Sequence, residues 1–246
     1  MFFSERQVNR VMVASQTQSV PSSLELHVIS NGTGDLDVFL EKAIRVSPWV
    51  DYIHIREKHL AINQRLHWAE RMQEAGIPAS QIVVNGIPDR MDGFSVPKLC
   101  GVQRGESDFK QYGTTIRMDN KHEPIRLGVS VHSLEGAKSA ERQGADYVIF
   151  GHVFATNSKI GAAPRGIPAL KAICSSLCIP VIAIGGIRPD AVDAIYAAGA
   201  SGIAVMSAIW ENSKPEQAAA AFKQAMSGVR PMNDAIERDE GGAIVV

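Results

Sequence analysis

Three features of the sequence could do chemistry on a small anionic ligand. The first is His152, which follows directly on the apolar run Tyr147-Val-Ile-Phe150 and Gly151. An imidazole ordinarily titrates near neutral pH, so a histidine at a strand end can take up a proton and return it. The second is a set of polar residues at or beyond the ends of apolar segments: Arg56, Asn85, Ser130 and Lys159. A guanidinium presents a planar fork to a carboxylate, and an ammonium acts on a carboxylate or phosphate as a point charge. The third is the backbone at Gly185, Gly186, Met206 and Ser207. Bare glycine backbone and the amides that open a helix can converge on a phosphate. A Gly-Gly pair taken alone is only a tight turn; its place in the chain gives it more weight.

The remaining histidines have plainer readings. His59, His67 and His122 fall on helices or in a polar insertion and are expected to have a packed or surface role, while His27 lies inside a strand and is expected to pack. His54 sits mid-strand in Asp51-Tyr-Ile-His-Ile-Arg56 and could face either side of it. His132, next to Ser133, could serve a site or only orient a loop.

Short apolar runs ending in turns, each followed by an amphipathic stretch, supply the frame for these residues. Strands are expected at 24–29, 51–56, 82–85, 101–103, 126–131, 146–150, 181–184 and 202–205, with a helix after each but the third. Ser133 is placed to cap a helix that runs to Gln143, and Pro189 suits a first helical turn. Eight alternating units imply a single α/β domain, a (β/α)8 TIM barrel over residues 23–228. A flexible arm (1–22) and a flexible tail (229–246) flank it, and residues 113–123 read as a polar surface insertion. In such a barrel chemistry sits at the C-terminal ends of the strands, and the turns after the seventh and eighth strands commonly bind phosphate. Arg56, Asn85, Ser130, His152, Lys159, Gly185, Gly186, Met206 and Ser207 all fall at that end.

The composition sets outer limits. The chain has 246 residues, 45% hydrophobic and 21% charged, with a net charge of −1. That balance gives no general field for nucleic acid or anionic lipid, so an anion must be met by a local site. The cysteines, Cys100, Cys174 and Cys178, are too few for a disulfide framework and fit a reducing, cytoplasmic setting. Cys174 and Cys178 are expected to be small buried helix residues, with no metal assigned. No apolar run reaches the roughly 20 residues needed to span a bilayer.

With these segments assembled, residues 24–222 resemble the thiamin phosphate synthase superfamily, and within it the TenI family of thiazole tautomerases. The resemblance is carried by Ile53-His-Ile-Arg-Glu-Lys58, Gly101-Val-Gln-Arg-Gly-Glu-Ser-Asp108, Leu127-Gly-Val-Ser-Val-His-Ser133 and Asp146-Tyr-Val-Ile-Phe-Gly-His-Val-Phe-Ala-Thr156. Ile179-Pro-Val-Ile-Ala-Ile-Gly-Gly-Ile187 and Gly199-Ala-Ser-Gly-Ile-Ala-Val-Met-Ser207 complete it. The synthase branch implies Gln-x-Arg after the second strand, an Asn-Asp pair that helps hold Mg2+ after the third, and Gly-Pro after the sixth. This chain has His54-Ile-Arg56, Asn85-Gly86 and Gly151-His152 in those places.

The tautomerase branch implies a histidine at position 152 as acid and base, aromatising a dihydrothiazole carboxylate phosphate without metal or organic cofactor. On this resemblance the partner is a small thiazole phosphate, bound by a homo-oligomer with no role for nucleic acid or membrane. Thiamin phosphate synthase is the alternative, favoured by Lys159 in Thr156-Asn-Ser-Lys159 and opposed by Gly86 and His152. A non-catalytic regulatory protein that binds thiazole phosphate is a third.

Overall fold

The computed structural model describes residues 24–32, 34–87, 96–113 and 125–229. Eight parallel strands pair in chain order and close into a barrel. They are β1 (Glu25–Ile29), β2 (Tyr52–Ile55), β3 (Ile82–Asn85), β4 (Gly101–Gly105), β5 (Arg126–Val131), β6 (Tyr147–Gly151), β7 (Val181–Ile184) and β8 (Gly202–Val205). The helices around them are α1 (Leu36–Val46), α2 (Ile62–Glu74), α3 (Glu106–Tyr112), α4 (Leu134–Arg142), α5 (Gly166–Cys174), α6 (Val192–Ala197), α7 (Ser207–Trp210) and α8 (Pro215–Ser227). The TIM-barrel expectation is met, with β4 running two residues further than expected, to Gly105.

Local chemistry starts and stops the elements. The Asp35 carboxylate accepts from the Val38 amide at 3.0 Å and caps α1; Ser133 Oγ accepts from the Gly136 amide at 3.0 Å and caps α4. The shell between strands and helices is apolar, with Leu26, Val28, Ile53, Ile55, Val84 and Val129 wholly buried. α5 ends at Cys174, so only that cysteine packs as expected, its thiol pushed up to about 12 by burial. Cys178 lies past the helix end and is exposed, contrary to expectation.

The barrel interior is divided. On one side Ile29, Tyr147, Ile149, Ile182 and Ala204 form an apolar cluster with Ile184. On the other, the polar residues Glu25, His27, Tyr52, His54 and Arg126 are linked by hydrogen bonds. At the N-terminal end Arg126 reaches Glu25 at 3.0 Å and the Tyr52 hydroxyl at 2.9 Å, with its guanidinium 4.5 Å from the Tyr147 ring centre. Those paired charges and aromatic faces occupy the floor of the barrel.

No helix among the described residues is long and apolar enough to cross a membrane. The expected arm, most of the tail and nearly all of the polar insertion, His122 included, lie outside the described residues.

Candidate active site

Parallel pairing brings the C-terminal strand ends to one rim. Asn85 ends β3 beside Gln103 of β4, and Ser130 near the end of β5 lies beside Gly105 and Ile149. Gly151 ends β6 beside Ile184 of β7, which in turn lies beside Ala204 of β8. The residues expected on the rim are therefore on one end of one barrel. The structure goes further for His152 and Gly185.

The segment after β6 continues the sheet past its last strand residue. Val153 N donates to Ile184 O at 2.8 Å, and Phe154 N donates to Gly185 O at 2.9 Å. This zipper presses the two backbones together. A Cβ on Gly185 would lie 2.4 Å from His152 Cβ, and one on Gly186 would lie 2.2 Å from Ala155 O. Both glycines also have positive φ, 103° and 64°, so the pair is required twice over, by backbone conformation and by close approach.

His152 is half-buried, and its Nε2 stands 3.2 Å from the carbonyl oxygen of Ala162. A carbonyl can only accept, so Nε2 carries the proton and Nδ1 keeps its lone pair in the neutral ring. The preceding carbonyl, Gly151 O, accepts from Arg165 Nε at 3.0 Å and from His132 Nδ1 at 3.1 Å. The His132 contact is of the kind that the loop-orienting one of its two readings requires. His132 also lines a cleft of about 310 Å3, with Phe150, Arg165 and Ile173, between α4 and α5 on the outside of the barrel.

The other expected residues have particular surroundings. Arg56 is half-buried just past β2, its amide donating to Ser30 Oγ at 2.8 Å. Ser130 Oγ accepts from Gln103 Nε2 at 2.9 Å. Lys159 ends a short 3-10 turn, Asn157–Lys159, and is exposed. Met206 follows β8 and Ser207 begins α7, a four-residue helix next to the Gly185-Gly186 turn in strand order.

Several participants escape a reading of the sequence. His54 faces the interior and is fully buried, with Nδ1 3.2 Å from Asn85 and Nε2 2.9 Å from His27 Nδ1. His27, expected merely to pack, carries this chain on to Glu25 through Nε2 at 3.1 Å. Glu57 is not a rim residue open to ligand; it is buried and accepts from the Gly32 and Gly34 amides at 3.1 Å each. Parity groups Glu25 with His27 and Tyr52 with His54, and the pairing of β1 with β2 puts both groups on the same, inward face.

The buried pair has an electrostatic consequence. Burial pushes His27 down against the pull of Glu25, and burial with the charge of His27 pushes His54 well down. An unfolded chain would take up protons at these rings near pH 6.5, where the fold resists them. Stability is therefore complete above about pH 6.5 and is lost as pH falls below it toward the folded values. Each ring contributes up to about 1.4 kcal/mol per pH unit across that window. Urea midpoints should fall between pH 7.5 and pH 5.5, and a flat profile would show that the pair titrates as it does unfolded.

The Mg2+ implied by the synthase resemblance does not fit the described residues that follow β3. Where that branch has a carboxylate, this chain has Gly86, and Arg65 Nη1 lies 2.8 Å from the Cβ position. Arg65 also donates to Asn85 O through the same nitrogen. A hard dication requires several oxygen ligands, whereas here a guanidinium lies close to the place of one. No group of three or more His, Cys, Asp or Glu fit to hold a metal occurs among the described residues.

Comparison with known proteins agrees on the family. Residues 26–209 match the TMP-TENI model, described as thiamine monophosphate synthase. A thiamine-phosphate synthase of Chlorobium phaeobacteroides is 38% identical over 180 residues, covering 72% of this chain and 84% of the relative. Thiamine-phosphate synthase 2 of Streptococcus pneumoniae is 30% identical over 209 residues, covering 84% and 97%. Among solved structures, a thiamine phosphate pyrophosphorylase from Pyrococcus furiosus superposes with a TM-score of 0.61 at 26% identity, over 83% of this chain and 96% of that one. These relatives bear the synthase name, not that of a tautomerase. Sequence and barrel together place the chain in the thiamine monophosphate synthase family, TMP-TENI.

Proposed function

We propose that the chain is a thiazole tautomerase of thiamin biosynthesis, aromatising a dihydrothiazole carboxylate phosphate by proton transfer through His152. The observation that carries this reading is the His152 ring itself. It stands at the end of β6, is pinned against Gly185 and is oriented by Ala162 O, which leaves Nδ1 as the basic nitrogen.

Nδ1 removes the proton from C2 of the ring, which the adjoining carboxylate and conjugated double bonds make acidic. The electron pair shifts through the ring to the exocyclic carbon, and the imidazolium returns the proton there. No atom is gained or lost, and the product is aromatic. Gly185, Gly186, Met206 and Ser207 hold the phosphate through backbone amides in the turns after β7 and β8. Arg56 takes the carboxylate, Lys159 adds a point charge, and Asn85 and Ser130 line the ring's polar side.

Thiamin phosphate synthase is the second reading, favoured by the names of the curated relatives. Arg65 beneath Gly86 counts against it. One experiment separates the two: the purified chain is given the freshly made tautomer in one arm, and pyrimidine pyrophosphate, thiazole phosphate and Mg2+ in the other. Thiazole absorbance rising faster than the unaided reaction supports the tautomerase. Condensation product with no acceleration of the first arm would replace it with the synthase. Saturable thiazole phosphate binding without turnover in either arm would favour a regulatory protein.

A further inference from the structure

The polar half of the interior is a continuous chain: Arg126, Glu25, His27, His54, Asn85. We propose that Glu25, His27 and His54 hold both imidazoles as Nε2–H tautomers and thereby turn the Asn85 carboxamide so that its oxygen faces the barrel mouth.

The order follows from the fixed end. Arg126 bonds both oxygens of Glu25, at 3.0 to 3.2 Å, and keeps it a carboxylate, which only accepts. His27 Nε2, 3.1 Å from Glu25, must therefore carry a hydrogen. In a neutral ring His27 Nδ1 then accepts, so its partner at 2.9 Å, His54 Nε2, must donate. That leaves His54 Nδ1 as an acceptor, and the Asn85 atom facing it must be the donor, the amide nitrogen.

Oxygen and nitrogen of a carboxamide have the same shape, so proton order decides which faces the ring. The opposite placement, with Asn85 Oδ1 at 3.2 Å from His54 Nδ1, requires a further proton and an imidazolium in the pair. Arg126 of β5 already supplies a cation to this interior, and the aromatic neighbours Tyr52 and Tyr147 supply no anion. Asp51 is the other carboxylate acting on His27, and it is shared with Lys223 at 3.0 Å. Both histidines are accordingly disposed to remain neutral.

The consequence for ligand choice rests on Asn85 lining the substrate's side, as in the proposed function. An oxygen at the mouth accepts from an O–H, an N–H or an ordered water and repels carboxylate and phosphate. Asn85 then sets the register of a doubly anionic substrate by excluding both of its charged ends, and His27, His54 and Glu25 are positioning residues.

The order is read directly from nitrogen NMR of the 15N-labelled full-length protein at pH 7.5, with His27→Gln and His54→Gln used for assignment. Both rings should show a protonated Nε2 and an unprotonated Nδ1. Asn85→Asp sharpens the test by placing an acceptor against an acceptor, so His54 should gain a proton at Nδ1. A wild-type imidazolium or Nδ1–H form in either ring would overturn the proposal, as would an unchanged His54 pattern in Asn85→Asp. None of these readings needs the thiazole substrate, so the tautomerase assignment can fail while this one stands, and the reverse.

Discussion

Replacing His152 with alanine should lower the rate of tautomer conversion by about 10^2 to 10^4-fold, down toward the unaided reaction. The same loss is expected for His152→Gln, although glutamine can still donate to Ala162 O as Nε2 does now. The two variants separate orientation from proton transfer. Recovery of activity in His152→Gln would make the ring a spacer and not a base. The side chain is half-buried on a loop, so unfolding midpoints should move by no more than about 1 kcal/mol. Rates measured with both variants folded, and equal to wild type, would remove His152 from the mechanism.

The second large effect is expected at Gly185. In Gly185→Ala the new methyl would lie 2.4 Å from His152 Cβ and 2.6 Å from His152 Cα, at a residue with φ of 103°. These are backbone and near-backbone atoms, so no swing of a flexible side chain relieves the contact. The backbone strain alone is worth about 1–3 kcal/mol. The Phe154 N to Gly185 O bond must lengthen or break, carrying His152 away from its place. A displacement of about 1 Å can lower turnover by 10^2-fold. Thermal unfolding and tautomer assays on Gly185→Ala should therefore fall together. Wild-type values in both would show that the zipper between β6 and β7 yields without consequence.

The barrel was legible because its strands are buried on both faces and several of them, β6, β7 and β8, read as almost unbroken apolar runs. The same property hid the direction of His54. In Tyr52-Ile-His-Ile55 each face of the strand meets a dry environment, so alternation separates two sets of residues without saying which set is inside. Only pairing with β1 and β3, which sets His54 beside Ile29 and Val83, resolves it. His152 was legible for the opposite reason, being polar immediately after a wholly buried strand. Arg65 was not, because it belongs to the first turns of α2 and reaches Asn85 across a distance that no periodicity encodes. Glu57 sits past a strand end as a ligand group would, yet its partners are two amides of the loop after β1.

The floor of the barrel bears on how this sequence can drift. Glu25 and Arg126 are 101 positions apart, yet each holds the other's charge in a confined space beside two tyrosines. Losing either alone strands its partner's charge, whereas replacing both strands no charge and leaves the His27 Nε2 hydrogen to be met by another acceptor. Lineages descended from this chain should therefore exchange the two together, and Glu25 and Arg126 should stand out as a covarying pair although neither touches the rim where the chemistry is placed.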